Sequence, residues 1–206
     1  NAMGLEVTAL GNHEFDQGRV DLDDRVLPAS DFPYLGANVY DRVTGLPAYD
    51  DSFVTEVGGV SVGFIGAVTA ELPSLVTPAG IASLEVRPVL PEVNRVAADL
   101  TDGDPVNGEA DVIVLLVHEG AATPALAAST DGSGFGQIVT GASPAIDVIY
   151  SGHTHQRYAH LVPVDGWAAG LSRPVVQAGQ YGEAIGRVTL TVDRTSGEVL
   201  ANTAVV

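Results

Sequence analysis

Four of the five histidines fall in three short motifs, and each motif follows a strand-like apolar run. Gly11-Asn12-His13-Glu14-Phe15-Asp16 follows Leu5 to Leu10, His118-Glu119-Gly120 follows Asp111 to Val117, and Gly152-His153-Thr154-His155 follows Asp147 to Ser151. Imidazole is the commonest protein ligand for transition metals, and imidazoles gathered at several strand ends point to one metal-dependent site. The Asn12 amide oxygen is a hard neutral ligand for a divalent cation. Asp16, three residues beyond His13, is placed to hold that imidazole in one tautomer. His153 and His155, two apart on an extended loop, could reach two neighbouring cations. Each motif also has a plainer explanation. Asn12 and Asp16 could cap a helix starting near Gln17, and His118 could be a satisfied surface-loop histidine. Glu119 reads as a helix N-terminal carboxylate, and His160, with no supporting context, as structural or exposed.

The elements that must position these residues alternate between strand and helix, which argues an α/β fold. In such folds ligands bind beyond the carboxyl ends of the strands, where the three motifs lie. The pattern predicts a helix over 17–27 ending near Pro28 and a short buried strand over 34–38. Strands over 53–57 and 60–65 flank a Gly58-Gly59 hairpin turn. A helix is expected over 92–100, a polar loop over 101–108, a strand ending at Val117 and an Ala-rich helix over 121–128. Asp131-Gly132-Ser133-Gly134 reads as a turn. Late strands are expected around 175–176, over 188–192 and over 199–205, the last two joined by a turn over 193–198.

Composition narrows the partners. The 206 residues suit one domain or two, one being favoured. A chain of this length hides roughly 70% of its unfolded surface. The formal net charge is −17, carried by 26 acidic against nine basic residues, all nine of them arginine. That field repels nucleic acid polymers and anionic lipid surfaces. A small phosphate ester remains admissible where a cation or local donors reverse the field. There is no cysteine, hence no disulfide and no thiolate metal site. No apolar run reaches the roughly 18 residues that span a membrane. Asn1-Ala2-Met3 reads equally as the scar of a cleaved tag before a start methionine or as the end of a helix stopped by Gly4.

Together the three motifs resemble the calcineurin-like metallophosphoesterases, most closely the bacterial 5′-nucleotidase and 2′,3′-cyclic-nucleotide phosphodiesterase branch. The stretches Phe32 to Asn38, Gly63 to Gly66 and Pro174 to Gly179 look like that branch too, and the likeness runs along essentially the whole chain. The resemblance implies a four-layer α-β-β-α sandwich, here truncated at its N-terminal strands. It implies two divalent metal ions (Zn, Mn, Mg, Ca or Fe), with Asn12, His118 and His153 on one and His155 on the other. His13, oriented by Asp16, would stabilise charge developing on the phosphoryl group, and metal-activated hydroxide would attack phosphorus. The family pattern also has an Asp-x-His block and a Gly-Asp block upstream, and a nucleotide-binding domain downstream. None of these is in residues 1–206, which reads as part of a catalytic domain.

Several expectations follow. The parent protein is a secreted or cell-envelope phosphohydrolase acting on a small nucleotide or other phosphoester. This segment alone is inactive and holds metal weakly. A homodimer through an exposed N-terminal edge is expected. The competing readings are a folded non-catalytic piece that binds metal or a partner weakly, or a phosphodiesterase of cyclic nucleotides or nucleotide sugars.

Overall fold

The computed structural model describes residues 2–206. Asn1, the first residue of the presumed scar or helix end, lies outside the described residues. In chain order the strands are β1 (Thr8–Ala9), β2 (Tyr34–Leu35), β3 (Val39–Asp41), β4 (Ser52–Val57), β5 (Val60–Val68) and β6 (Leu84–Val86). They continue with β7 (Val112–His118), β8 (Ile146–Ser151), β9 (Arg157–Val162), β10 (Arg173–Ala178), β11 (Arg187–Val192) and β12 (Val199–Val205). The α-helices are α1 (Arg19–Asp21), α2 (Leu72–Leu75), α3 (Val89–Asp99) and α4 (Gly134–Gly141).

A six-stranded sheet in the order β4-β5-β7-β8-β10-β9 forms the centre. The four inner strands, β5, β7, β8 and β10, are parallel, with β4 and β9 antiparallel at the edges. Parallel strands covered on both faces read as continuous apolar runs, and Val112 to Leu115 are all buried. Register is what places the site: Val68 pairs with His118 and Val117 with Ser151, so β5, β7 and β8 end at one rim.

One face is covered by α3, whose buried Val89, Val93, Val96 and Ala97 recur at helical spacing. Together with α4 it encloses a core that includes Ile65, Ile113, Leu115, Phe135, Ile138 and Ile149. Towards the other face lie β1 and β2, a parallel two-stranded sheet, with a second cluster of Leu10, Phe15, Leu22, Val39, Tyr49, Val68 and Leu72. The expected α/β fold is thus present.

Individual elements depart from the sequence pattern for local reasons. The strand expected over 5–10 pairs only at Thr8 and Ala9, because β2 offers only Tyr34 and Leu35. Of the stretch 34–38 only Tyr34 and Leu35 form a strand, β2, and β3 follows at Val39–Asp41. The helix expected over 17–27 starts at Arg19, after Gly18 at φ 86°. It widens into a π turn at Leu22–Val26 and closes as a 3-10 turn at Leu27–Ala29. No α-helix forms over 121–128. Pro124 disfavours helical backbone at Thr123, and only a 3-10 turn at Leu126–Ser129 appears. In its place α4 forms just beyond, despite its glycines, because the Ser133 hydroxyl accepts from the Gly136 amide at 3.1 Å as an N-cap. The β4–β5 hairpin closes on Gly58-Gly59 as expected, both at positive φ.

Candidate functional site

His118 is the last residue of β7, one position earlier than a post-strand loop would put it. Its Nε2 lies 2.8 Å from Asn12 Oδ1, across 106 residues of sequence. The amide of Asn12 therefore serves this contact and caps nothing; the turn that follows has no side-chain cap. Burial, then the neighbouring His153, His13 and His155, push the His118 imidazole down to about 4. It is consequently neutral at neutral pH, the form in which a ring nitrogen can ligate a metal. The ring of His153 lies 5.1 Å from that of His118 between centroids.

Gly11 to Asp16 leaves β1 as a tight turn. The Gly11 amide donates to Glu14 Oε2 at 2.7 Å, and Phe15 anchors the turn in the second apolar cluster. His13 stands out from it, with its side chain 72% exposed, and its Nδ1 lies 2.9 Å from Asp16 Oδ2. Asp16 thus contacts His13 and does not cap the following helix, since Gly18 holds the N-cap position. Glu119 is also not at a helix N-terminus. Its Oε2 accepts from the buried Thr69 hydroxyl at 2.6 Å, tying the ends of β5 and β7 together.

The loop after β8 holds His153 at φ 69° and His155 at φ 57°, left-handed conformations that non-glycine residues seldom adopt. Such strain persists only where the surroundings over-determine it, and here they do. Gln177, buried in β10, accepts from the Gln156 amide at 2.6 Å and from the Thr154 hydroxyl at 3.2 Å. Its Nε2 donates to the Tyr158 hydroxyl at 3.1 Å, which also accepts from the Ala121 amide at 3.2 Å. The Gly152 amide donates to the Glu119 carbonyl at 3.2 Å. Gly120 sits where these strands of the network converge, and a Cβ there would collide with the Gln177 amide, the Gly152 carbonyl and the Thr154 hydroxyl.

Gln177 and Tyr158 are the site residues that motif reading passed over. The signal was present: an amide in the apolar strand Pro174-Val175-Val176-Gln177-Ala178 must find partners once buried. His160 lies outside the cluster, stacked on Tyr158 at 5.0 Å with its Nε2 3.1 Å from the Pro124 carbonyl.

Among the described residues no group of three His, Asp or Glu side chains is set to hold a metal ion. The gathered donors are neutral: the Asn12 amide and the imidazoles of His118 and His153. Asn12 touches His118 and the His153 ring lies beside that of His118, and donors of this type suit a divalent cation. Beside them a groove of about 340 Å³ runs between Val7 to Ala9 on one side and Leu116 to His118 and Tyr150 to Gly152 on the other.

No family model matches the chain. It is 32% identical to endonuclease YhcR of Bacillus subtilis, over 98% of the chain and 16% of that protein. It is 30% identical to cell wall protein Lmo0130 of Listeria monocytogenes, over 97% of the chain and 27% of that protein. A 5′-nucleotidase of Diplobatis ommata is 32% identical over 97% of the chain and 34% of its own length. The chain thus spans a third or less of these curated relatives, or barely over it. Among solved structures, a putative 5′-nucleotidase from Staphylococcus aureus superposes with TM-score 0.78 at 25% identity, covering 99% of this chain and 38% of that one. Calcineurin-like phosphoesterase YfkN from Bacillus subtilis gives 0.76 at 25% identity, covering 100% of this chain and 64% of that one.

Proposed function

We propose, from the premise that the chain belongs to the calcineurin-like metallophosphoesterase superfamily, that it supplies part of the catalytic domain of a 5′-nucleotidase-type phosphohydrolase. The observation that carries this reading is the Asn12–His118 contact at 2.8 Å, with His153 beside it, made between motifs from distant parts of the chain. Asn12, His118 and His153 would hold one divalent cation and His155 a second. When bound, such cations polarise phosphoryl oxygens and lower the pKa of water towards about 7.

The chain's own residues do the rest. Asp16 takes the Nδ1 side of His13 and leaves Nε2 facing outward. That nitrogen would donate a hydrogen bond to a phosphoryl oxygen as charge develops there. Gln177 and Tyr158 hold the His153 loop in place, so its imidazoles are positioned before substrate arrives.

The substrate is a small nucleotide or related phosphoester. One relative bears the name endonuclease, but a net charge of −17 opposes a polyanionic polymer here. The relative named as a cell wall protein supports an extracellular or envelope location. The described residues pair β1 on one edge only, with β2. A second copy could add along the other edge, and a strictly monomeric mass by light scattering at high concentration would exclude it.

This segment alone is expected to hold the metal weakly and not to turn over AMP. Calorimetry with Zn²⁺ is expected to show one weak site, abolished by His153→Ala. A longer protein containing this segment is expected to hydrolyse AMP and to lose that activity with the same substitution. Two tightly bound ions per chain, or AMP hydrolysis indifferent to His153→Ala, would overturn the assignment.

A further inference from the structure

A cavity of about 520 Å³ lies at the opposite end of the central sheet from the histidines. Its lining includes the apolar Trp167, Leu171 and Leu200 and the acidic Asp111, Asp147 and Glu198. Asp111 directly precedes β7, and Asp147 is the second residue of β8. His118 closes β7 and His153 follows β8, so the length of both strands separates this cavity from the candidate metal ligands. The turn between β11 and β12 forms one wall. It presses so closely on the start of β7 that a Cβ at Gly197 would collide with the Asp111 carboxylate. Trp167 is fixed by its indole nitrogen, which donates to the Pro144 carbonyl at 3.0 Å.

Charge around this cavity is not balanced. Asp111 Oδ2 accepts from the Ser61 amide at 2.9 Å, and Asp147 Oδ2 accepts from the Ile113 amide at 2.9 Å. The latter is the only hydrogen bond to the Asp147 side chain among the described residues, which leaves Oδ1 without a partner. Arg173 is near, its Cζ 5.5 Å from the Trp167 ring centroid, but its protons are directed at the carbonyls of Ile146, Val139, Ala142 and Ser143. Burial outweighs both the Ile113 amide and Arg173 and pushes the Asp147 carboxyl up to about 6. At neutral pH Asp147 is thus mostly ionised, half-buried and short of counter-charge, a state that costs the fold stability. Such a group in a cleft is a mark of functional sites. The volume is that of a small-molecule pocket, in which apolar walls surround a few polar groups. An indole face attracts cations, so the wall and the carboxylates favour the same ligand charge.

We propose that this cavity is a second binding site, for a small organic cation that carries an ammonium group on a flat apolar body. The ammonium would sit against Asp147, in a field to which Asp111 and Glu198 add, and the body against Trp167, Leu171 and Leu200. The phosphoester reading of the histidine site is not needed for this, and the two sites call for opposite ligand charges.

The test uses the whole chain with benzylamine as the ligand, benzyl alcohol as its uncharged counterpart and benzoate as the anion. Trp167 is the only tryptophan, so its fluorescence reports on this cavity. Moderate salt screens the diffuse attraction of cations to a net charge of −17. Benzylamine is expected to shift the emission saturably at neutral pH, benzyl alcohol to bind about tenfold more weakly, and benzoate not to bind. Asp147→Asn keeps an acceptor for the Ile113 amide and removes the charge. It should weaken benzylamine about tenfold and leave benzyl alcohol unchanged. Glu198→Gln, in the turn between β11 and β12, should weaken benzylamine about twofold. Emission that does not saturate, equal affinity for benzylamine and benzyl alcohol, or benzylamine binding indifferent to both substitutions would each overturn the proposal.

Discussion

The two halves of the candidate site are anchored in different ways. His118, His153 and His155 leave the ends of β7 and β8, inner strands of a six-stranded sheet, and are braced by the buried Gln177 and Tyr158. Asn12 and His13 leave β1, a two-residue strand with one neighbour, and are held chiefly by Phe15 in the smaller apolar cluster. The first half is fixed by parallel ladders and buried polar bonds. The second depends on a single aromatic anchor and on the Asn12–His118 contact. Local stability follows the density of buried contacts and protected hydrogen bonds. The N-terminal half of the site should therefore open while the sheet half stays closed.

The largest effect should come from disturbing the sheet half. Arg173 is 1% exposed and donates to the carbonyls of Ile146 at 2.7 Å and Ser143 at 2.7 Å, and to those of Val139 and Ala142, at the end of α4. Arg173→Met leaves these buried acceptors unmatched. We expect a loss of about 3–5 kcal/mol in urea unfolding. A loss below about 1 kcal/mol would show that water or rearrangement satisfies them.

Disturbing the N-terminal half should cost less and act locally. Phe15→Ala removes the anchor, with an expected loss of about 3 kcal/mol. Amide exchange should accelerate at Leu10 and Phe15, whose backbone bonds lie in that half, while Leu115 in β7 stays protected. Equal acceleration in both halves would mean they form one cooperative unit and would erase the contrast.

The smallest effect is a pH dependence within the sheet half. Burial, outweighing the Ile113 amide and Arg173, pushes the Asp147 carboxyl up from 3.8 to about 6. The folded state then binds a proton that the unfolded state releases between those two values. Stability from this group is accordingly greatest at the acid end and falls as pH rises from about 4 to 6. Asp147→Asn should flatten that slope and add about 2 kcal/mol at pH 7 relative to the native chain. Unfolding midpoints at several pH values check it, and parallel curves for the two proteins would refute it.

Much of this was legible because the governing signals are local. Long apolar runs leading into His118 and into Gly152-His153 named β7, β8 and the rim, and Gly58-Gly59 named the hairpin. His13–Asp16 was readable from spacing alone, since three residues in a tight turn bring side chains together. The remainder depended on partners remote in sequence. Pro124 cancelled a helix that the alanines around it suggested. Ser133 capped a glycine-rich helix that propensity argued against. Glu119 looked like a helix-terminal carboxylate until Thr69, 50 residues away, supplied its hydrogen bond. The roles of Gln177 and Arg173 emerge only when β10 is laid against β8 and β9.

The left-handed backbone at His153 and His155 has a consequence for how this loop tolerates sequence drift. Asparagine and glycine enter that conformation with little penalty, whereas β-branched residues do not. A lineage could therefore exchange either histidine for asparagine and keep the path of the chain while losing the imidazole. Exchange for valine would lose the path as well. Shape and chemistry in this loop are inherited separately, and a descendant that had given up its reaction could still carry the outline of the site intact.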